Sequence, residues 1–122
     1  MESSMEDNCM NIQIKEISST GIKLHINDES GMEIARAYLY IMHNDLHERP
    51  LGLLEDLFVV ERFRSKGLGK QMVQAVIEEA KKRNCYKLIG TSRFSRENVH
   101  QFYEKSGFYK RGYEFRMDFK KE

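Results

Sequence analysis

The chain has 122 residues, of which 40% are hydrophobic, 11% aromatic and 32% charged, which is enough apolar material for one core and too little chain for two. No run approaches the ~18 consecutive apolar residues of a membrane span, and Met1 to Asp7 are acidic where a secretory leader would be basic. The expectation is therefore a cytoplasmic protein with no membrane partner. The net charge of +1 conceals an asymmetry, with 4 Lys/Arg against 11 Asp/Glu up to Val60 and 16 against 8 from Glu61 onward. A basic half suits a polyanionic partner such as nucleic acid or a phosphorylated cofactor, and an acidic half attracts a cation. Cys9 and Cys85 are the only cysteines, with no CxxC spacing and no second pair to complete a zinc site, which fits a reducing compartment.

Residues 1–9 read as a loose tail ahead of a single domain. Met10, Ile12 and Ile14 then alternate with polar residues, a period-two pattern that predicts a strand. After the turn residues Ser18 to Gly21, Ile22 to Ile26 predicts a second strand. Asn27 to Gly31 leads into a third, with Ala35, Ala37, Leu39 and Ile41 on one face and Arg36, Tyr38, Tyr40 and Met42 on the other. A polar segment from His43 ends at Pro50, and Leu53 to Val60 predicts a strand interrupted only by Glu55 and Asp56. From Gly67 the period changes: Gly69, Met72, Val73, Val76, Ile77 and Ala80 follow helical spacing, with Lys81, Lys82 and Arg83 at the end where cations favour the helix dipole. Tyr86 to Thr91 predicts a short strand, Ser95 to Ser106 a second helix capped by Gly107, and Tyr109 to Phe119 a last strand with Tyr113, Phe115, Met117 and Phe119 on one face. The fold class is mixed α+β, a mostly antiparallel sheet with flanking helices.

The loop Arg64-Ser65-Lys66-Gly67-Leu68-Gly69-Lys70 joins the strand ending at Val60 to the first helix. Its glycines permit a sharp turn that exposes consecutive N–H groups, the helix N-terminus adds partial positive charge, and Arg64, Lys66 and Lys70 add full charges, which together make an anion cradle. It matches neither GxxxxGK[ST] nor GxGxxG. With the preceding Leu54 to Val60 it resembles the acetyl-CoA-binding motif (R/Q)xxGx(G/A) of the GNAT superfamily of N-acetyltransferases. Phe102-Tyr103-Glu104-Lys105-Ser106-Gly107-Phe108 is similar to that family's FYxxxGF motif, and the likeness covers about residues 32 to 119. Parts of the chain resemble glucosamine-phosphate acetyltransferases (Glu55-Asp56, Asn84 to Lys87) and others aminoalkylphosphonate acetyltransferases (Ser92-Arg93, Arg96, Val99 to Tyr103).

The resemblance implies that the strand carrying Leu57, Phe58 and Val59 splays from the next one, with the pantetheine arm of acetyl-CoA in the gap and its diphosphate on residues 65–70. It implies further that Glu55 takes the proton of an attacking amine and that Tyr103 supplies a proton, or a hydrogen bond, to the departing CoA sulfur. On a regular strand Glu55 and Asp56 face opposite sides, so only one carboxylate reaches the cleft unless a bulge intervenes. Where many family members place an asparagine this chain has Arg96, with Asn98 two residues later; either is a candidate contact for CoA. Family members usually carry helices between their first two strands, and their absence here predicts an acceptor pocket that is open or completed by a second subunit, hence a homodimer. His43, Asp45, His47 and Glu48 sit in a loop rather than on a helix face, so no metal is expected; His100, three residues before Tyr103, is a further candidate for the acceptor site. The function expected is acetyl transfer from acetyl-CoA to a primary amine. The alternative is a non-catalytic CoA-binding module, and nucleic-acid binding is the weakest reading, since no known nucleic-acid motif is present.

Overall fold

The structure, a computed structural model, describes residues 10–120; the tail expected over residues 1–9 lies outside them. Four strands, β1 (Ser19–Asn27), β2 (Glu33–Met42), β3 (Leu51–Val59) and β4 (Leu88–Gly90), and two helices, α1 (Leu68–Lys82) and α2 (Glu97–Lys105), are found among the described residues, with a short 3-10 turn at Glu61–Phe63. The sheet order is β1-β2-β3-β4. The first three strands are antiparallel and β4 is parallel to β3, as a crossover through α1 requires. The mixed α/β class expected from the sequence is the one found.

Strand alternation sorts the sheet into two faces. Ala35, Ala37, Leu39, Ile41 and Leu54 are buried against Met72, Val76 and Ala80 of α1, the apolar stripe anticipated from helical spacing. The opposite face carries Arg36, Tyr38, Tyr40 and Met42, all half-buried. Lys23 and Glu33 form an ion pair there, and Tyr38 and Tyr40 stack at 6.4 Å. The β1–β2 turn is held by Asp28, whose Oδ1 accepts from the Ser30 and Met32 N–H groups, both at 2.9 Å. The Ser30 hydroxyl donates to the same oxygen at 2.8 Å, and that bond foremost, with the two N–H bonds, holds the carboxyl below the ordinary value.

Three expectations need correction. Residues 10–18 form no strand, and Met10, Ile12 and Ile14 are almost fully exposed. Tyr109 to Phe119 likewise forms no strand, and Tyr113, Phe115, Met117 and Phe119 face water. Ser19 to Gly21, read as a turn, already pair with Met42 to Tyr40. The cause is the same at both ends: a period-two pattern shows that a segment can be a strand, but a strand exists only where a neighbouring edge supplies its hydrogen bonds. Among the described residues no helix is long and apolar enough to cross a membrane.

The core makes a direct test. Leu39→Ala, at a site with no exposure, should cost about 2–5 kcal/mol in denaturant unfolding, whereas Ile12→Ala should change stability by less than about 0.5 kcal/mol.

Candidate functional site: the cleft between β3 and β4

Strand β4 pairs with β3 only through Gly52↔Leu88, Leu53↔Ile89 and Leu54↔Gly90. Beyond Leu54, β3 continues to Val59 with no neighbour on that side among the described residues, so the two strands part as anticipated. The separation begins at a bulge. Tyr38 pairs with Glu55 and Arg36 with Phe58, leaving Asp56 and Leu57 opposite Ala37 alone, and Asp56 takes a left-handed φ of 52°. A bulge shifts the side-chain alternation by one residue. Gly52 and Leu54 therefore face the core before it, and Leu57 and Val59 pack against the core after it. Glu55 stays on the open face beside its partner Tyr38, and Asp56 is exposed at the bend. The regular alternation of the two carboxylates expected from sequence is thus broken between them.

The bulge also decides which backbone groups point into the cleft. The Val60 N–H donates to Ile34 O at 2.9 Å, so Val60 and Phe58 face β2, while Leu57 and Val59 turn their backbone groups to the open side. The Val59 carbonyl accepts from Arg64 Nε at 2.8 Å, and the Arg64 guanidinium lies 5.4 Å from the Phe58 ring. Arg64, expected to supply charge to the loop, also ties the loop to the strand. The Arg36 guanidinium covers the same ring at 4.8 Å, a role that nothing in the sequence pattern singles out.

Past the 3-10 turn the chain passes through two left-handed residues, Ser65 (φ 65°) and Gly67 (φ 83°). Gly67 is the N-cap of α1 and offers no side-chain cap, and the first turn holds no acid. The first N–H to find an acceptor within the helix is that of Gln71, bonded to Gly67 O at 3.0 Å. The N–H groups of Leu68, Gly69 and Lys70 therefore lack helical acceptors and, with the exposed side chains of Arg64, Ser65, Lys66 and Lys70, surround an electropositive helix end. A shallow groove of about 440 Å³ opens beside it, lined by Gly67, Lys70, Gln71 and Gln74 among others.

Helix α2 brings Tyr103 to the point where the strands part. Its C-terminus is a complete Schellman turn: the Gly107 N–H bonds Glu104 O and the Phe108 N–H bonds Tyr103 O, both at 3.1 Å, with Gly107 at φ 106°. The accompanying apolar contact is Phe108 against Tyr103, edge to face at 5.3 Å. The spacing FYxxxGF is thus a local locking device, in which the last two residues immobilise the tyrosine. A Cβ on Gly90 would lie 3.8 Å from the Tyr103 ring, and one on Gly69 3.6 Å from Phe102, so adjacent rings of α2 rest on the end of β4 and the start of α1. Arg96 is the N-cap residue of α2 and Asn98 is exposed in its first turn. His100 Nε2 lies 2.7 Å from Arg93 O, securing the loop before α2 rather than facing solvent. Its Nδ1 and Ser92 Oγ are buried without hydrogen-bond partners. His43, Asp45, His47 and Glu48 lie in an exposed loop.

Burial, and secondarily the negative charge of Glu55, push the Tyr103 phenol above its ordinary pKa, with Arg96 acting weakly in the other direction. The neutral phenol is therefore the form that the fold favours. A raised folded-state pKa contributes stability that is intact below the unfolded value and lost as pH rises through the folded one. Two outcomes are expected from ultraviolet difference titration of the wild type against Tyr103→Phe: Tyr103 ionises later than exposed tyrosines, and unfolding stability attributable to it declines above pH ~10. Glu55→Gln should lower the Tyr103 pKa without restoring the ordinary value, because burial is the larger cause. Gly107→Ala should cost about 1–2 kcal/mol by thermal or denaturant unfolding; the added Cβ meets no atom within 4 Å, so the penalty is one of backbone conformation.

This arrangement agrees with comparisons to known proteins. The model of the acetyltransferase (GNAT) family matches residues 21–108. Glucosamine 6-phosphate N-acetyltransferase of Trypanosoma brucei brucei is 36% identical over 70 residues, 57% of this chain and 46% of that protein. The enzyme of the same name from Arabidopsis thaliana is 45% identical over 56 residues, 46% of this chain and 36% of that one. The chain thus aligns with less than half the length of either relative. The crystal structure of a Trypanosoma brucei acetyltransferase superposes with a TM-score of 0.76 at 29% identity, covering 81% of this chain and 69% of that one. With most of its length matched by the family model and its fold superposing on that of a solved acetyltransferase, the chain belongs to the acetyltransferase (GNAT) family.

Proposed function

We propose that this protein transfers the acetyl group of acetyl-CoA to a primary amine, in the cleft between β3 and β4. The observation that carries the reading is the conjunction of three features around one cleft: the electropositive start of α1, the unpaired backbone of β3 beyond its bulge, and Tyr103 at the mouth of the split. In this reading the diphosphate of acetyl-CoA rests on the N–H groups and cations of residues 64–70. The pantetheine arm pairs with β3 at Leu57, past Phe58, to Val59, and Arg96 and Asn98 flank the cofactor from α2. Glu55, on the open face, removes a proton from the amine directly or through water, because an alkylammonium of pKa ~10.4 is not a nucleophile at neutral pH. The amine nitrogen bonds to the thioester carbon, the carbon–sulfur bond breaks, the Tyr103 hydroxyl gives its proton, or a hydrogen bond, to the departing sulfur, and the second proton shed by the nitrogen as it becomes an amide restores the phenol or leaves to water. The raised pKa of that phenol keeps the proton in place until the thiolate appears.

Glucosamine 6-phosphate, named for the two curated relatives, is the first acceptor to assay. Exposed Arg93 and Arg96 stand on the loop leading from β4 into α2, where they favour an acceptor bearing a phosphate. We assign the protein to the cytoplasm on its cysteine usage, without a nucleic-acid or membrane partner. The exposed apolar residues at both ends of the described chain favour a homodimer.

Free-thiol release from acetyl-CoA across a panel of amines tests the reaction. Binding without thiol release would leave the non-catalytic CoA-binding module. Gly67→Val should weaken acetyl-CoA binding in calorimetry, because a β-branched residue resists the left-handed φ of 83° that turns the loop. Glu55→Gln should lower turnover about 10²–10⁴-fold at neutral pH, with recovery as the pH approaches the amine's own pKa, whereas Tyr103→Phe should lower it by a similar factor throughout the range in which the phenol is protonated. Near-wild-type rates in both variants would leave catalysis to positioning alone.

A further inference from the structure

Helix α2 carries the phenol at the mouth of the cleft, yet little holds its first turn. None of its nine residues is buried, and its N-cap residue Arg96 makes no side-chain cap, so neither core packing nor capping fixes that end. A helix of this length is marginal by itself. The Schellman turn secures its C-terminal end, and residues 91–96 join its N-terminal end to Gly90, the last residue of β4.

One side chain of the helix reaches back to that loop. His100 Nε2 lies 2.7 Å from Arg93 O, and the same carbonyl accepts the Arg96 N–H at 3.1 Å. A carbonyl only accepts, so Nε2 carries the proton of the neutral imidazole and Nδ1 is left as an acceptor. Nδ1 is buried without a partner, and the Glu97 carboxylate, 4.0 Å from it, is an acceptor too. Ser92 Oγ, in the same loop, is likewise buried without a partner and contributes no tie. The fold therefore leaves one ring nitrogen unsatisfied and uses the other, and the bond to Arg93 is what a histidine supplies here. The imidazole is largely enclosed, its side chain 15% exposed, so water competes little for that bond.

His100 and Tyr103, three residues apart, share one side of the helix. The Tyr103 ring rests on Gly90, the residue from which the loop departs. A closed circuit results: end of β4, loop, Arg93 carbonyl, imidazole, one turn of α2, phenol, and the end of β4 again.

We propose that His100 is a positioning residue for Tyr103: its bond to the Arg93 carbonyl fixes the start of α2 against the end of β4 and so holds the phenol at the cleft. Its effect on rate rests on the acetyl-transfer reading, whereas its effect on the ring does not. A glutamine at this position can offer an amide N–H near the place of Nε2. An asparagine is shorter and ends near the place of Nδ1.

The test compares His100→Ala, His100→Asn and His100→Gln with the wild type. Ultraviolet difference titration, each protein read against the same protein carrying Tyr103→Phe, isolates the phenol. In the alanine and asparagine variants Tyr103 should ionise at lower pH than in the wild type, because burial is the largest cause of its raised pKa and a released helix exposes the ring. In the same two variants kcat for thiol release should fall about 10–100-fold with acetyl-CoA affinity in calorimetry unchanged, and glutamine should restore both the titration and kcat. Folded alanine and asparagine variants that lose only thermal stability, with wild-type Tyr103 titration, overturn the proposal and leave His100 as a loop stabiliser. A glutamine variant that behaves as alanine overturns the assigned bond, and a loss of acetyl-CoA affinity that matches the loss of kcat overturns positioning in favour of a cofactor contact. If the variants fail to fold, nitrogen NMR of the wild type decides: the Nε2–H tautomer with a slowly exchanging proton supports the bond, and the Nδ1–H tautomer overturns it. A wild type that releases no thiol with any amine sinks the acetyl-transfer reading, while the titration still decides whether His100 places the ring.

Discussion

One extra residue in β3 organises this molecule. Two residues, Asp56 and Leu57, stand opposite the single Ala37, and Asp56 accepts a left-handed φ that costs about 1–2 kcal/mol for a residue with a Cβ. The return is geometric. The strand bends and loses its parallel neighbour after Leu54, and its later residues resume core contact with opposite parity. Without the shift, Leu57 and Val59 would face away from the core and Phe58 into it. With it, the strand is anchored by side chains on one face while its edge remains open, a combination that regular pairing forbids.

The remaining parts of the site hold that opening in place. Arg64 reaches back from the loop to the Val59 carbonyl, fixing the start of α1 relative to the free end of β3. On the other wall, the Schellman turn of α2 clamps Tyr103 between Phe108 and the end of β4, and Phe102 rests over Gly69 at the start of α1. Loop, strand and both helices therefore meet around one gap. Its two ends differ in character: exposed cations and unbonded N–H groups at the helix start, and a half-buried phenol held neutral at the other. Such a division suits a long anionic ligand whose reactive end must be shielded from water.

The charge asymmetry of the sequence takes a physical meaning from this layout. The positive half begins where the chain leaves β3, so its first cations, Arg62, Arg64, Lys66 and Lys70, fall on the approach to α1. The acidic half supplies Glu55 and Asp56 from the middle of β3 and Glu33 from β2. Glu33 is neutralised locally by Lys23, a contact that holds its carboxyl below the ordinary range, whereas the described ion pairs include none for Glu55. The carboxylate next to the cleft is thus left without a fixed cation.

What the sequence determined by itself was local. The face of α1, the glycine turn ahead of it, the position of Gly107 and the two faces of β2 were all legible, because helical periodicity, a left-handed residue and a two-residue alternation are each decided within a few neighbours. The GNAT likeness was legible for the same reason, since its two motifs are a helix start and a helix end. What only the tertiary structure decided was pairing. The bulge at Asp56 depends on Ala37, some twenty residues away. The support of Tyr103 by Gly90 and the stacking of Arg36 on Phe58 join separate elements, and no spacing in the chain announces them. The alternating segments at Met10 to Ile14 and Tyr113 to Phe119 show the limit most plainly. Their pattern is that of strands, but a strand is completed by the edge it meets, and hydrogen bonds between distant segments are a property of the assembled sheet rather than of the residues in order.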